Sequence, residues 1–179
     1  RELILTTGKD VRVILIKIAE RLYLMRNLHE LMSNEQKEFA AETRFIYSPL
    51  AHRLGFYNIM SEMEDISMRF LEPEEFRSIE QKLRATKIRR NRFIKEFIGP
   101  LKETLSKNKL NADIKGRPKA ISSIWRKMKR QNVEFEEVYD KFAIRVILDS
   151  KPSSEKSDCW RAYSLITDIY KPNPDRLRD

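Results

Sequence analysis

Phe142-Ala143-Ile144-Arg145-Val146-Ile147-Leu148 reads as a buried β-strand, six aliphatic, β-branched or aromatic positions interrupted only by Arg145. Nearly everything before it reads as helix. The exception is Asn111 to Lys115, a short alternating segment that makes a second, weaker strand candidate. Earlier still, Val11, Ile14, Leu15, Ile18, Leu22, Met25 and Leu28 recur at spacings of three and four, predicting a helix from near Asp10, its N-cap, to near His29. Ser33 with Gln36 has the capping-box spacing for a second helix, with Phe39, Thr43, Ile46, Tyr47, Leu50 and Leu54 on its apolar face and Gly55 as its stop. A third, over Ile59, Met63, Ile66 and Phe70, ends before Pro73. Pro73-Glu74-Glu75 is a helix start, Pro at the first position and acids at the positive end of the dipole. The stripe from Phe76 through Ile79, Leu83, Phe93, Ile94, Phe97 and Leu101 to Leu105 predicts one very long helix, kinked or broken at Gly99-Pro100.

On the other side of Lys115, Pro118 stands where a helix would begin, and Ile121, Ile124, Trp125 and Met128 supply its apolar stripe. Beyond the strand, Lys151 to Asp158 reads as a loop, Cys159 to Tyr170 as an amphipathic helix, and Lys171 to Asp179 as a turn. Helices followed by strand, loop and helix predict a mainly α chain leading into the start of an α/β domain. Two strands do not complete a sheet, so the expectation is a fragment with an exposed strand edge, prone to pair with a second copy.

The chain has 179 residues, 41% of them hydrophobic, enough for a core. A single cysteine, Cys159, excludes an internal disulfide, and no apolar run approaches the length of about 18 residues that a membrane span needs. The expectation is a soluble, cytoplasmic protein. The net charge of +9 is unevenly spread: residues 1–75 carry −3, residues 76–131 carry +14 and residues 132–179 carry −2. A basic block of that kind suits a polyphosphate, a nucleic acid or an acidic surface, and equally a solvated helix face.

Within the block, Arg117 and Lys119 flank Pro118 at the expected helix N-terminus, where free amides and the dipole favour an anion. Ser123 and Lys127 follow Lys119 at successive intervals of four, so one face would present ammonium, hydroxyl and ammonium in a row, suited to a triphosphate. Asp140 precedes the strand and could ligate Mg²⁺, which favours one or two carboxylates plus substrate phosphates, although an Asp there also serves as a turn or cap residue. Arg145, charged inside an apolar strand, requires a partner.

Gly116-Arg117-Pro118-Lys119, Ser123-Ile124-Trp125-Arg126-Lys127-Met128 and Tyr139-Asp140-Lys141-Phe142-Ala143-Ile144-Arg145-Val146 resemble the synthetase domain of the RelA/SpoT (Rel) enzymes, which make (p)ppGpp. Asp10 to Lys17 and Ser48 to Gly55 resemble the C-terminal half of the HD-type hydrolase domain that precedes it in long Rel proteins. The resemblance implies pyrophosphate transfer from ATP to the 3′-hydroxyl of GDP or GTP. It implies that Arg117 stacks on adenine, that Lys119, Ser123, Lys127 and Arg145 hold the ATP phosphates, and that Asp140 is catalytic through Mg²⁺. Arg176-Leu177-Arg178-Asp179 matches the basic Arg-x-Lys-Asp stretch of bifunctional members, with Arg178 for Lys. The family's nucleotide-stacking tyrosine and second acidic residue fall beyond residue 179, so this piece alone is expected to be inactive.

The hydrolase half departs from the family pattern. Where active members carry Ala-Asp-Arg-Leu-His-Asn-Met-Arg-Thr, this chain has Ala19-Glu20-Arg21-Leu22-Tyr23-Leu24-Met25-Arg26-Asn27. Glu20 would misplace a Mn²⁺ ligand and Leu24 cannot hydrogen-bond, so the hydrolase is expected to be degenerate and without Mn²⁺; the basic stretch at Arg176 to Asp179 points the other way. His52 is read as structural and hydrogen-bonded. The expected organisation is a hydrolase remnant over 1–72, a helical connector over 73–110 and the first part of a nucleotidyltransferase-like, mixed-sheet synthetase domain over 111–179. Ribosome contacts, if any, are expected in regions outside these residues. The competing reading is a basic helical RNA- or ribosome-binding or nucleotide-sensing module without catalysis; against it, Phe76, Phe93, Phe97 and Trp125 lie on apolar stripes and are assigned to the core.

Overall fold

The computed structural model describes residues 11–138 and 141–173, apart from the Arg117 side chain. Asp10, Asp140 and Arg176 to Asp179 lie outside the described residues. Helices α1 (Val11–Arg26), α2 (Ser33–Glu42), α3 (Ser48–Arg53), α4 (Tyr57–Leu71), α5 (Pro73–Ala85) and α6 (Lys87–Lys107) precede strand β1 (Ala112–Pro118); α7 (Ile121–Gln131), β2 (Phe142–Leu148) and α8 (Glu155–Ile169) follow. The chain is helical and then α/β. It divides into two compact units, each assembled from two stretches: residues 1–83 with 119–139, and residues 84–118 with 140–179.

In the first unit, Ile18 and Leu22 of α1 pack with Ala51 of α3 and Met63 of α4. Met25, Leu28 and Ala40 form a second cluster. Arg21 is buried between the rings of Phe39 and Tyr47, its Cζ 3.7 and 4.1 Å from their centroids, and pairs with Glu42. Two rings and a carboxylate compensate a charge that burial would otherwise disfavour, and burial holds that guanidinium below the usual arginine range. The third cluster joins the two stretches: Met68, Phe76 and Ile79 from the first, Ile124, Phe135 and Val138 from the second.

Several boundaries differ from the sequence reading, among them α8, which begins at Glu155 inside the stretch read as a loop and not at Cys159. Met32, not Ser33, precedes α2, and the Glu35 carboxylate accepts its N–H while the Gln36 amide donates to the Leu31 carbonyl at 2.7 Å. The expected second helix is interrupted by a wider π turn, Thr43–Tyr47, in which the Thr43 hydroxyl donates to the Phe39 carbonyl. The very long helix breaks at Thr86 rather than at Gly99-Pro100. Between Leu83 and Phe93 its stripe would need apolar residues near positions 86 and 90, which are Thr and Arg. Gly55 does stop α3, at φ +79°. His52 is exposed and rests edge-on against Tyr57, 5.4 Å between centroids.

In the second unit, β1 and β2 pair antiparallel, Ala112 opposite Leu148 and Pro118 opposite Phe142. The weak strand candidate is therefore longer than expected and takes in Gly116-Arg117-Pro118. β2 is not buried on both sides: Phe142, Ile144, Val146 and Leu148 turn inward, whereas Ala143, Arg145 and Ile147 face solvent. Leu105, Leu110 and Ala162 form the core beneath, with Ile114, Val146 and Leu165 against it. Phe93 contacts Phe142 edge-on at 5.6 Å and Phe97 stacks on Tyr170 at 3.9 Å. Phe93 nonetheless remains half exposed, so it is not the core residue its stripe suggested.

Candidate functional site

The expected site residues distribute over both units. Lys119, Ser123 and Lys127 belong to the first, whereas Arg117 and Arg145 belong to the second. Asp140, the expected Mg²⁺ ligand, and Arg178 lie outside the described residues.

Pro118 is the last residue of β1, not the first of a helix, and α7 begins three residues later at Ile121. The face holding three groups in a row is thus two helical groups, Ser123 and Lys127, preceded by Lys119 from the connecting segment. Ile121, Ile124, Trp125 and Met128 take the opposite side into or against the core, which leaves Ser123 and Lys127 half-buried on the flank. The helix N-terminus is not an open anion site. Ala120 occupies the N-cap position, and its methyl group offers no acceptor. The Asp65 carboxylate of α4 takes that part, accepting the Ile121 N–H at 3.2 Å and the Ser122 N–H at 2.8 Å. One turn on, Arg126 donates through both terminal nitrogens to buried Glu64, at 2.7 and 2.8 Å. A phosphate on this helix is left to side chains on its flank, because a carboxylate already satisfies the amides.

In the second unit the register sets Lys115 opposite Arg145 and Arg117 opposite Ala143. Lys115 and Arg145 are exposed on the same face, two like charges directly across the ladder. Asp113, two residues along β1, holds Lys115 at 2.5 Å. Arg145 faces outward at its strand position, so its charge is not buried among the apolar side chains of β2. Gly116 has its own reason to be glycine, since a Cβ there would lie 2.6 Å from Ile94 Cγ2 of α6.

Neither Glu64, Asp65 nor Lys115 was singled out from the sequence. Glu64 had a visible signal: it follows Met63 and lies three and four residues from Ser67 and Met68, so its carboxylate sits on the buried face of α4. Lys115 had none, because its importance arises from cross-strand register.

A cleft of about 660 Å³ in the first unit is lined by Glu74, Glu75, Glu134, Glu137, Trp125 and Lys129, among others. Four carboxylates make it repel phosphate. Along Ala19 to Asn27, the Glu20 carboxylate is exposed and ion-paired with Lys17 at 2.7 Å, and the Leu24 side chain carries no donor or acceptor. Among the described residues no group of three or more metal-ligating side chains occurs. Among the same residues no helix is long and apolar enough to cross a membrane.

Residues 1–57 match an HD domain, and residues 116–179 match the region found in RelA / SpoT proteins. Over 179 residues, all of this chain, a GTP pyrophosphokinase of Myxococcus xanthus is 36% identical and one of Escherichia coli K12 is 34% identical. A probable guanosine-3′,5′-bis(diphosphate) 3′-pyrophosphohydrolase of Synechocystis is 37% identical over 180 residues, again all of this chain. In each case the match covers 23% of the relative, so the chain spans about a quarter of the length of the curated relatives it matches. An HD domain leading into a RelA/SpoT region, with relatives of both kinds along its whole length, makes this chain a member of the RelA/SpoT family.

Proposed function

We propose that this chain is part of a GTP pyrophosphokinase that transfers pyrophosphate from ATP to the 3′-hydroxyl of GDP or GTP, and that its hydrolase half is degenerate. The observation that carries the reading is the pair Lys115 and Arg145, cations set opposite each other on a solvent-facing strand surface, with the Asp113 carboxylate paired to Lys115. Like charges in register are unfavourable alone and become favourable around an anion. Lys119, Ser123 and Lys127 supply the same chemistry in the other unit, two ammonium groups and a hydroxyl. Pyrophosphate transfer demands positioning and charge neutralisation rather than covalent help from the protein, which suits these residue types. In this reading Arg117 stacks on adenine, Arg145 and the α7 flank hold ATP phosphates, Arg178 adds to the basic surface, and Asp140 supplies a carboxylate to Mg²⁺. The bound Mg²⁺ would neutralise phosphate charge. Asp140→Asn in the full-length protein, incubated with labelled ATP, GTP and Mg²⁺, should abolish the pppGpp that the unaltered protein makes; undiminished synthesis sinks the assignment.

A second reading has one observation in its favour. Lys87, Arg89, Arg92 and Lys95 of α6 are exposed, and so is Phe93 among them, a basic surface with an accessible ring of the kind that binds single-stranded RNA. RNA binding with a steep salt dependence, in a full-length protein that makes no pppGpp, would favour it over catalysis.

A further inference from the structure

We propose that Asp65 and Glu64 of α4 are positioning residues for the ATP-binding flank of α7, a role that rests on the synthetase reading. The two carboxylates grip α7 at separate points. Asp65 takes the Ile121 and Ser122 amides in the first turn, and Glu64 takes both terminal nitrogens of Arg126 one turn later. Each gripped site adjoins an expected phosphate ligand: Ser123 follows Ser122, and Lys127 follows Arg126. Adjacent residues of α4 diverge by about 100° around its axis, so the two grips together resist both sliding and rotation of α7. Either motion would carry Ser123 and Lys127 off the flank together.

The grip at the N-terminus replaces what the local sequence omits. A helix normally caps its first amides with a Ser, Thr, Asp or Asn of its own, and α7 has Ala120. The cap is therefore supplied by a residue 56 positions earlier. Glu64 is anchored in turn: it is buried, and the bidentate guanidinium is what makes a carboxylate tolerable there. The same geometry carries a second consequence. A carboxylate at the positive end of the dipole keeps phosphate from binding to the helix end, so an ATP phosphate is held by the Lys119, Ser123 and Lys127 side chains whose placement the grips determine.

The experiment is steady-state kinetics of the full-length protein, with ATP varied at saturating GTP and the reverse, for the unaltered protein, Asp65→Ala, Asp65→Asn and Glu64→Gln. Asp65→Ala removes both acceptors and should raise KM for ATP about fivefold, leaving kcat within about twofold and KM for GTP unchanged. Asp65→Asn keeps one acceptor oxygen and should fall between, which gives a graded readout even if the alanine variant does not fold. Glu64→Gln should also raise KM for ATP. An unchanged KM for ATP in the Asp65 variants overturns the positioning role. So does a lowered one, which would make Asp65 a competitor of the phosphates. Absence of pppGpp from the unaltered protein is a separate result: it overturns the synthetase reading and this proposal with it.

Discussion

Gly116 shows how much a single missing side chain decides. Its backbone is not in the left-handed region that favours glycine; it is glycine because Ile94 Cγ2 stands 2.6 Å from where a Cβ would be. Ile94 is β-branched and stiff at χ1, so it cannot swing aside without moving strand from helix. Gly116→Ala should destabilise the protein by about 1–3 kcal/mol, measured by urea unfolding. Ile94→Ala, which removes the obstructing methyl, should recover part of that loss in the double variant, whereas Ile94→Val should not. Equal stability of Gly116→Ala and the unaltered protein would show that the strand is not held this close to α6. From the sequence, Gly116 was legible only as the residue before Arg117-Pro118; the reason for it lies in a helix more than twenty residues earlier.

At the scale of elements, α6 contradicts a strong local rule. Pro100 lies in its interior, where it removes one hydrogen bond and crowds the preceding turn, yet the helix continues from Lys87 to Lys107. Aromatic contacts hold it before the proline, Phe93 against Phe142 and Phe97 against Tyr170, whose hydroxyl donates to the Phe97 carbonyl at 3.3 Å; buried Leu101 and Leu105 hold it beyond. Pro100→Ala restores an N–H for the Glu96 carbonyl and should stabilise α6 by about 1–3 kcal/mol, visible as slower amide exchange over residues 96–104. Exchange that is unchanged or faster would mean that the proline is relieving strain rather than causing it. The opposite case is the break at Thr86, where no glycine or proline stands. There the apolar stripe lapses between Leu83 and Phe93, and a helix without a face to bury has nothing beyond propensity to sustain it.

At the scale of the whole molecule, the chain makes each unit from two separated stretches. The first unit's third cluster cannot form from residues 1–83 alone, because Ile124, Phe135 and Val138 come from the later stretch. Residues 1–83 joined by a Gly/Ser linker to residues 119–139 should therefore melt cooperatively, whereas residues 1–83 by themselves should melt broadly and bind a hydrophobic dye through uncovered Met68, Phe76 and Ile79. Equally sharp melting of both at one temperature would show that the earlier helices need no partner. The same interleaving puts Lys119, Ser123 and Lys127 in a unit whose remaining residues match an HD domain over much of their length, while Arg117 and Arg145 fall in the other.

The sequence by itself determined where most helices run, the order of the strands, the change from helical to α/β character and the family, because each depends on local periodicity or on motifs read in order. Pro73, Gly55 and the stripe of α4 speak through the backbone within a few residues, and the structure follows them. What caps α7, which face of β2 meets water, why position 116 carries no side chain and which stretches share a core were decided by tertiary structure alone. In each case the deciding atoms belong to distant residues: Asp65 for Ser122, Leu105 and Leu110 for Val146, Ile94 for Gly116 and Ile124 for Met68. Hydrogen bonds, like charges and van der Waals contacts act over a few ångströms of space, and nothing in the local pattern of a chain records which distant residue will occupy that space.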